Sequence, residues 1–201
     1  LRRWNFQTEG EVPLAGEWMV SWQELASPED LASGSFEQVA VPGGWPEQAE
    51  PLTHATYRLE VLLPLTPQAL ALTTGTVFNA HRTFWNSEVV HQAGIPGTTL
   101  GTTTPRLEFS VRGLPPTSAR AVLTMEVANF RNNRHGIFRA PVLGTPDSLM
   151  KKTSTSSSYE MALIAALLTL ALYNIVLFAF RPIFLAPLLM GLISACFALF
   201  F

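Results

Sequence analysis

The sequence predicts an all-β sandwich, of jelly-roll kind, followed by two membrane-spanning helices. Three observations carry that prediction. Apolar and polar residues alternate along several short runs before residue 150. Proline and glycine punctuate those runs, as in "VPGGWP", "GIPG", "GLPP" and "LGTP". The chain then ends in two long apolar runs, "YEMALIAALLTLALYNIVLFAF" and "IFLAPLLMGLISACFALFF", separated by Arg181 and Pro182.

The alternating runs come first. "TYRLEVLLP" sets Tyr57, Leu59, Val61 and Leu63 against Arg58, Glu60 and Leu62. "RAVLTMEVANF" sets Leu123, Met125 and Val127 against Val122, Thr124, Glu126 and Ala128. A period of two marks a strand with one buried face. "QALALTTG", "AHRTFWNSEVVHQAG" and "RLEFSVRG" are further strands by the same test, and short strands at this spacing build a sandwich. Trp18, Tyr57, Leu59, Val61, Leu123, Met125 and Val127 form the predicted core. Trp18 and Trp22 are four apart and share a face. One short helix is expected around "SPEDLAS", with Ser27 as its cap. "GTPDSLMKKTSTSSS" reads as a Ser/Thr-rich linker into the apolar region. The expected boundaries are 1–144 for the β domain, 145–158 for the linker, and 159–180 and 183–201 for the spans.

The spans follow from length. Tyr159 to Phe180 carries one charge, Glu160. As a helix it is about 33 Å long at ~1.5 Å per residue, enough to cross a hydrocarbon core of ~30 Å. Soluble helices keep a polar face, and these runs have none. The chain starts at Leu1, not Met, so an export segment is expected to have been removed. The second run stops where the chain stops, so a longer membrane protein is expected. Lys151 and Lys152 against Arg181 weakly favour a cytoplasmic N-terminus, although large domains translocate regardless of such counts.

Charge excludes one class of partner. Residues 1–158 hold 12 basic and 14 acidic residues, which is no nucleic-acid surface. The single cysteine, Cys196, permits no intrachain disulfide. The four histidines (His54, His81, His91, His135) show no metal-ligand spacing, and no nucleophile–base or phosphate-loop motif is present. No metal, cofactor or catalytic role is expected.

The aromatic residues supply the site. "VPGGWP" puts Trp45 in a rigid turn, "RTFWNS" puts Trp85 near a strand end, and "NFRNNRHGIFR" supplies Arg131 and His135 in a polar run. Aromatic faces pack on the C–H patches of a sugar ring while Arg and His bond its hydroxyls. Trp45, Trp85, Arg131 and His135 are therefore expected to converge at one rim as a ligand or partner surface. The competing reading packs both tryptophans in the core and leaves the Arg-rich run in solvent.

The order of "PLAGEWMVSWQEL", "VAVPGGW", "ATYRLEVLLP", "NAHRTFWNSEVVHQAG" and "VANFRNNRHGIFRAPVLG" resembles the galactose-binding-like jelly roll of bacterial seven-transmembrane receptors with diverse intracellular signalling modules. It is also similar to the sugar-binding domain of family 2 glycoside hydrolases. "YEMALIAALLTLALYNIVLF", with its Tyr173–Asn174 pair, resembles the first helix of the receptor module. The family shows Asn-Gly where this chain has Asn86-Ser87, and Gly where it has His54. The resemblance implies a periplasmic N-terminal domain, a bacterial inner-membrane location and carbohydrate-type sensing relayed through the helices. The alternative is a membrane-anchored accessory or structural subunit whose jelly roll docks onto an envelope protein. Membrane lipid, a carbohydrate ligand or an envelope protein are the expected partners, with nucleic acid excluded and oligomerisation open.

Overall fold

The structure is a computed structural model. It describes all residues apart from 30–34, 47–52, 66–67, 76, 78, 118, 132–134, 182–183 and 201, and apart from the side chains of 156, 157 and 160. The chain forms two compact units, Leu1–Leu149 and Met150–Phe201.

Among the described residues, the first unit has twelve strands. In chain order they are Val12–Pro13 (β1), Gly16–Trp22 (β2), Glu37–Val41 (β3), Gly43–Gly44 (β4), His54–Leu62 (β5) and Ala71–Thr73 (β6). Ala80–Trp85 (β7), Glu88–Ala93 (β8), Val111–Gly113 (β9), Arg120–Ala128 (β10), Gly136–Ile137 (β11) and Val142–Gly144 (β12) complete them. One sheet runs β3-β2-β5-β10-β7-β8, a second β1-β12-β6-β9, and β4 pairs with β11 alone. The two strongest alternating runs, β5 and β10, pair antiparallel over nine residues, from Leu62 opposite Arg120 to His54 opposite Ala128.

Parity decides what is inside. Residues directly opposite one another in a ladder point to the same face. Leu123, Met125 and Val127 on β10 are fully buried, with Tyr57 and Val61 of β5 and Trp18 and Val20 of β2 beside them. Leu72 of β6 and Leu143 of β12 meet them from the other sheet. Each such side chain removed from water contributes about 1.5–3 kcal/mol. Of the predicted core residues, Leu59 alone is only partly buried and packs on the margin of the cluster. It has the right parity and stands opposite Leu123 in the β5–β10 ladder.

The β7–β8 hairpin turns through Asn86 and Ser87, and the positive φ falls on Asn86, at 56°. Asn tolerates that region better than other side chains, so Ser87 carries no such strain. The Asn86 amide donates to the Val122 carbonyl at 2.7 Å, and its Oδ1 accepts from the Val122 amide at 2.9 Å. Two expected strands shrink: only Ala71–Thr73 of "QALALTTG" and Val111–Gly113 of "RLEFSVRG" are extended. The helix expected after Ser27 falls largely on residues 30–34, outside the described residues.

The expected linker is instead the start of a helix. Pro146–Phe180 (α1) runs unbroken for 35 residues. Thr145 caps it: its Oγ1 accepts from the Ser148 amide at 3.3 Å. Proline at the first helical position and Asp147 in the first turn suit the positive helix end. Once a helix is nucleated, each added residue costs far less than the first turn. The Ser/Thr run therefore continues into the apolar stretch behind it.

In the second unit, Met161–Phe180 is a stretch of mean hydropathy 2.4, long and apolar enough to cross a membrane by length and composition. Leu185–Phe200 (α2) is apolar and shorter, at 16 residues. The two helices meet through small residues: Gly191, Ser194 and Ala198 of α2 are buried, as is Ala171 of α1. A Cβ built on Gly191 would lie 3.1 Å from the Ala171 carbonyl oxygen.

Candidate functional site

The sequence places Trp45 right after β4 and His135 right before β11. These two short strands pair, with Gly136 opposite Gly44 and Ile137 opposite Gly43. Glycine is required here. Gly136 has φ +105°, and a Cβ on it would come within 2.4 Å of the Gly43 carbonyl oxygen. The Trp45 amide then donates to the His135 carbonyl at 3.3 Å. The result is a stack of indole on imidazole, with centroids 5.3 Å apart and planes 27° apart.

Further aromatic rings support the stack. Trp22 meets Trp45 edge-on at 6.0 Å and Tyr57 at 6.4 Å. Trp18 meets Tyr57 edge-on from the core at 6.4 Å. The Trp45 indole N–H donates to the Tyr57 hydroxyl, and that of Trp22 to Glu37 Oε2 at 2.6 Å. Burial holds the Tyr57 phenol well above its ordinary range, so it stays a neutral hydrogen-bonding group. Because both indole N–H groups are committed, what Trp45 offers a ligand is ring surface. Trp45, Trp22 and His135 are each part-exposed.

The four predicted site residues do not all share this place. Trp45 and His135 are brought together. Arg131 is exposed and lines a shallow hollow with Asn79, Leu100, Thr103, Pro105 and Phe130. Its backbone amide is fixed by Asn129 Oδ1 at 3.3 Å, and the neighbouring Phe130 ring stacks on His54 at 6.2 Å. Trp85 belongs to the core. It is 1% exposed, opposite Leu123 in register, with its N–H on Thr117 Oγ1 at 3.0 Å. Its strand-end position is right, but its register partner faces inward, so its ring does too.

Sequence reasoning missed Trp22 and Tyr57 as members of the aromatic group, although both sit on the predicted inner parity. It also missed a pair inside the sandwich. His81 and His91 are ten residues apart, and an unbroken β7–β8 hairpin would put His91 opposite Arg82, on the outer face. The register instead shifts between Thr83 and Phe84, so that His91 lies opposite Thr83 and shares the inner face with His81. A bulge of one residue swaps faces, and no alternation pattern announces it. Among the described residues no cluster of three or more His, Cys, Asp or Glu could hold a metal ion.

No protein-family model matches the sequence. No curated protein matches it either. Solved structures do. The crystal structure of a glycosyl hydrolase family 2 member from Bacteroides cellulosilyticus DSM 14838 has a TM-score of 0.52 at 13% identity, covering 67% of this chain and 20% of that one. A Faecalibacterium prausnitzii beta-glucuronidase is 16% identical with a TM-score of 0.48, covering 66% of this chain and 31% of that one. The chain thus spans less than a third of the length of either. At such identity the first likeness shows a fold: a mostly-β module of the kind found within family 2 glycosyl hydrolases.

Proposed function

We propose that this chain is the ligand-sensing, membrane-held part of a bacterial transmembrane signalling receptor. Its sandwich, a jelly roll of galactose-binding type, lies in the periplasm and recognises carbohydrate, and the helices lie in the inner membrane. The observation that carries the membrane reading is Met161–Phe180, an apolar stretch of which only 6% is buried. A surface that large and apolar belongs against lipid or another protein. The carbohydrate part draws support from the part-exposed Trp45–His135 stack and from the fold's likeness to a sugar hydrolase module. Occupancy of the sandwich shifts the population of helix arrangements, to the extent that ligand binds one arrangement better than another.

The test is a titration of the full chain in detergent micelles with neutral monosaccharides, followed by tryptophan fluorescence. A saturable change that Trp45→Ala abolishes is expected. Silence across the panel moves weight to the second reading, an accessory subunit docking on an envelope protein. One observation favours that reading: Ile95, Leu100, Leu107 and Phe109, between β8 and β9, are 51–62% exposed.

A further inference from the structure

His81 on β7 and His91 on β8 play no part in the aromatic group. They are 1% and 3% exposed, with ring centroids 5.3 Å apart. Among the described residues, Nε2 of His91 and the hydroxyls of Thr74 and Thr83 have no hydrogen-bond partner, and the buried His81 ring has at most a backbone contact to Asn79. Buried polar groups are nearly always paired, so the orphaned atoms on these four residues need a cause.

Arg112 on β9 fixes one tautomer. Its Nε–H lies 3.3 Å from Nδ1 of His91 and can only donate. Nδ1 therefore accepts, and the ring proton sits on Nε2. A metal ion at Nε2 would need the lone pair that this proton occupies, so the pair is not arranged as a metal site. Ser110 Oγ also reaches Nδ1, at 3.1 Å. Glu108 is the nearby acid, and it is already shared by Arg106 and Arg112, at 3.2 Å each. From β10, Val127 stands opposite His81 and Met125 opposite Thr83. Neither is charged. The corner thus holds two neutral imidazoles, one arginine, and one carboxylate already paired.

Its place in the fold matters. β8 is the edge of the six-stranded sheet and β9 the edge of the four-stranded one. His91 and Arg112 meet across these edges, with no ladder between them. The segment joining β8 to β9 carries Leu100, Thr103 and Pro105, one wall of the hollow beside Arg131.

We propose that the β8–β9 side of the sandwich is an acid-sensitive latch: protonation of the His81–His91 pair drives the two edge strands apart and shifts the segment that walls the Arg131 hollow. A proton gained here places a cation in a dry corner, against a second imidazole and Arg112. Burial, then the neighbouring His91, pushes the His81 imidazole down to about 4. Burial, then Arg112, lowers that of His91. Both lie below the ~6.5 of a free imidazole, so the closed form binds fewer protons than the open one. The latch is fully closed above the free value and weakens as pH falls from there toward 4.

Hydrogen exchange of the full chain in micelles tests this, with protection factors corrected for the intrinsic pH dependence. Between pH 7 and pH 4.5, residues 88–113 are expected to lose protection at least tenfold while β2, β5 and β10 keep theirs. A His81→Gln/His91→Gln double variant should show no such local loss. Uniform loss across all strands would overturn the latch, as would an unchanged pH response in the double variant. Should that variant not fold, NMR titration of the ring Cε1–H signals in the unaltered chain decides. Midpoints well below 6.5 support the latch, and midpoints at or above it contradict it.

Discussion

Trp18 shows how much one side chain holds. It is 1% exposed, its N–H donates to the Leu14 carbonyl at 2.9 Å, and its ring meets Tyr57 edge-on. Truncating a buried aromatic costs about 3–5 kcal/mol, a large part of the stability of an ordinary domain. Trp18→Ala should therefore move the denaturant midpoint of the sandwich strongly downward, and an unchanged midpoint would show that the ring is not load-carrying. The ring's burial was legible because Trp18 lies on the same parity as Val20 in a clear strand. Trp85 shows where legibility stops. Its strand and its place near the strand end were readable from "RTFWNS", but its facing depends on which β10 residue it meets. His91 is a harder case, because its face is set by a register shift that leaves no trace in the pattern.

Helix α1 is where composition misled. A run of Ser and Thr has modest helix propensity, and read alone it resembles a linker. Its context is a capped start at Thr145–Pro146 and a long apolar continuation, and context wins. Removing the cap tests that reading: Thr145→Ala is expected to cost roughly 1 kcal/mol, seen as increased amide exchange over the first turn of α1. Unchanged exchange there would mean the cap is not what starts the helix. The α1–α2 contact gives a second test. Gly191→Leu would set a branched side chain against the Ala171 carbonyl and Ile175, whose Cγ1 lies 3.1 Å from the position of a Cβ. Overpacking of this kind costs about 1–3 kcal/mol. The helical signal of the full chain in micelles should then melt at a lower temperature, and an equal or higher melting temperature would show that the close approach does not matter. Strands β4 and β11 are the opposite case. Two residues each are too few for any periodicity, so the pairing that joins Trp45 to His135 could not be read in advance.

At the scale of the whole molecule, a mostly-β unit is followed by an apolar helical one, and that division was visible in the hydropathy of the chain. The side on which the sandwich would lie, were the apolar unit in a membrane, was not, since the few flanking charges point one way and the family resemblance the other. The proposed arrangement puts the sandwich in the periplasm and Arg181 on the cytoplasmic side. The most direct measurement places a cysteine at the exposed Ser35 in a chain carrying Cys196→Ala, and treats cells with permeabilised outer membranes with a membrane-impermeant maleimide. Labelling of Ser35→Cys while the inner membrane is intact is the predicted result. Labelling only after the inner membrane is lysed would contradict a periplasmic sandwich and the sensing role built on it.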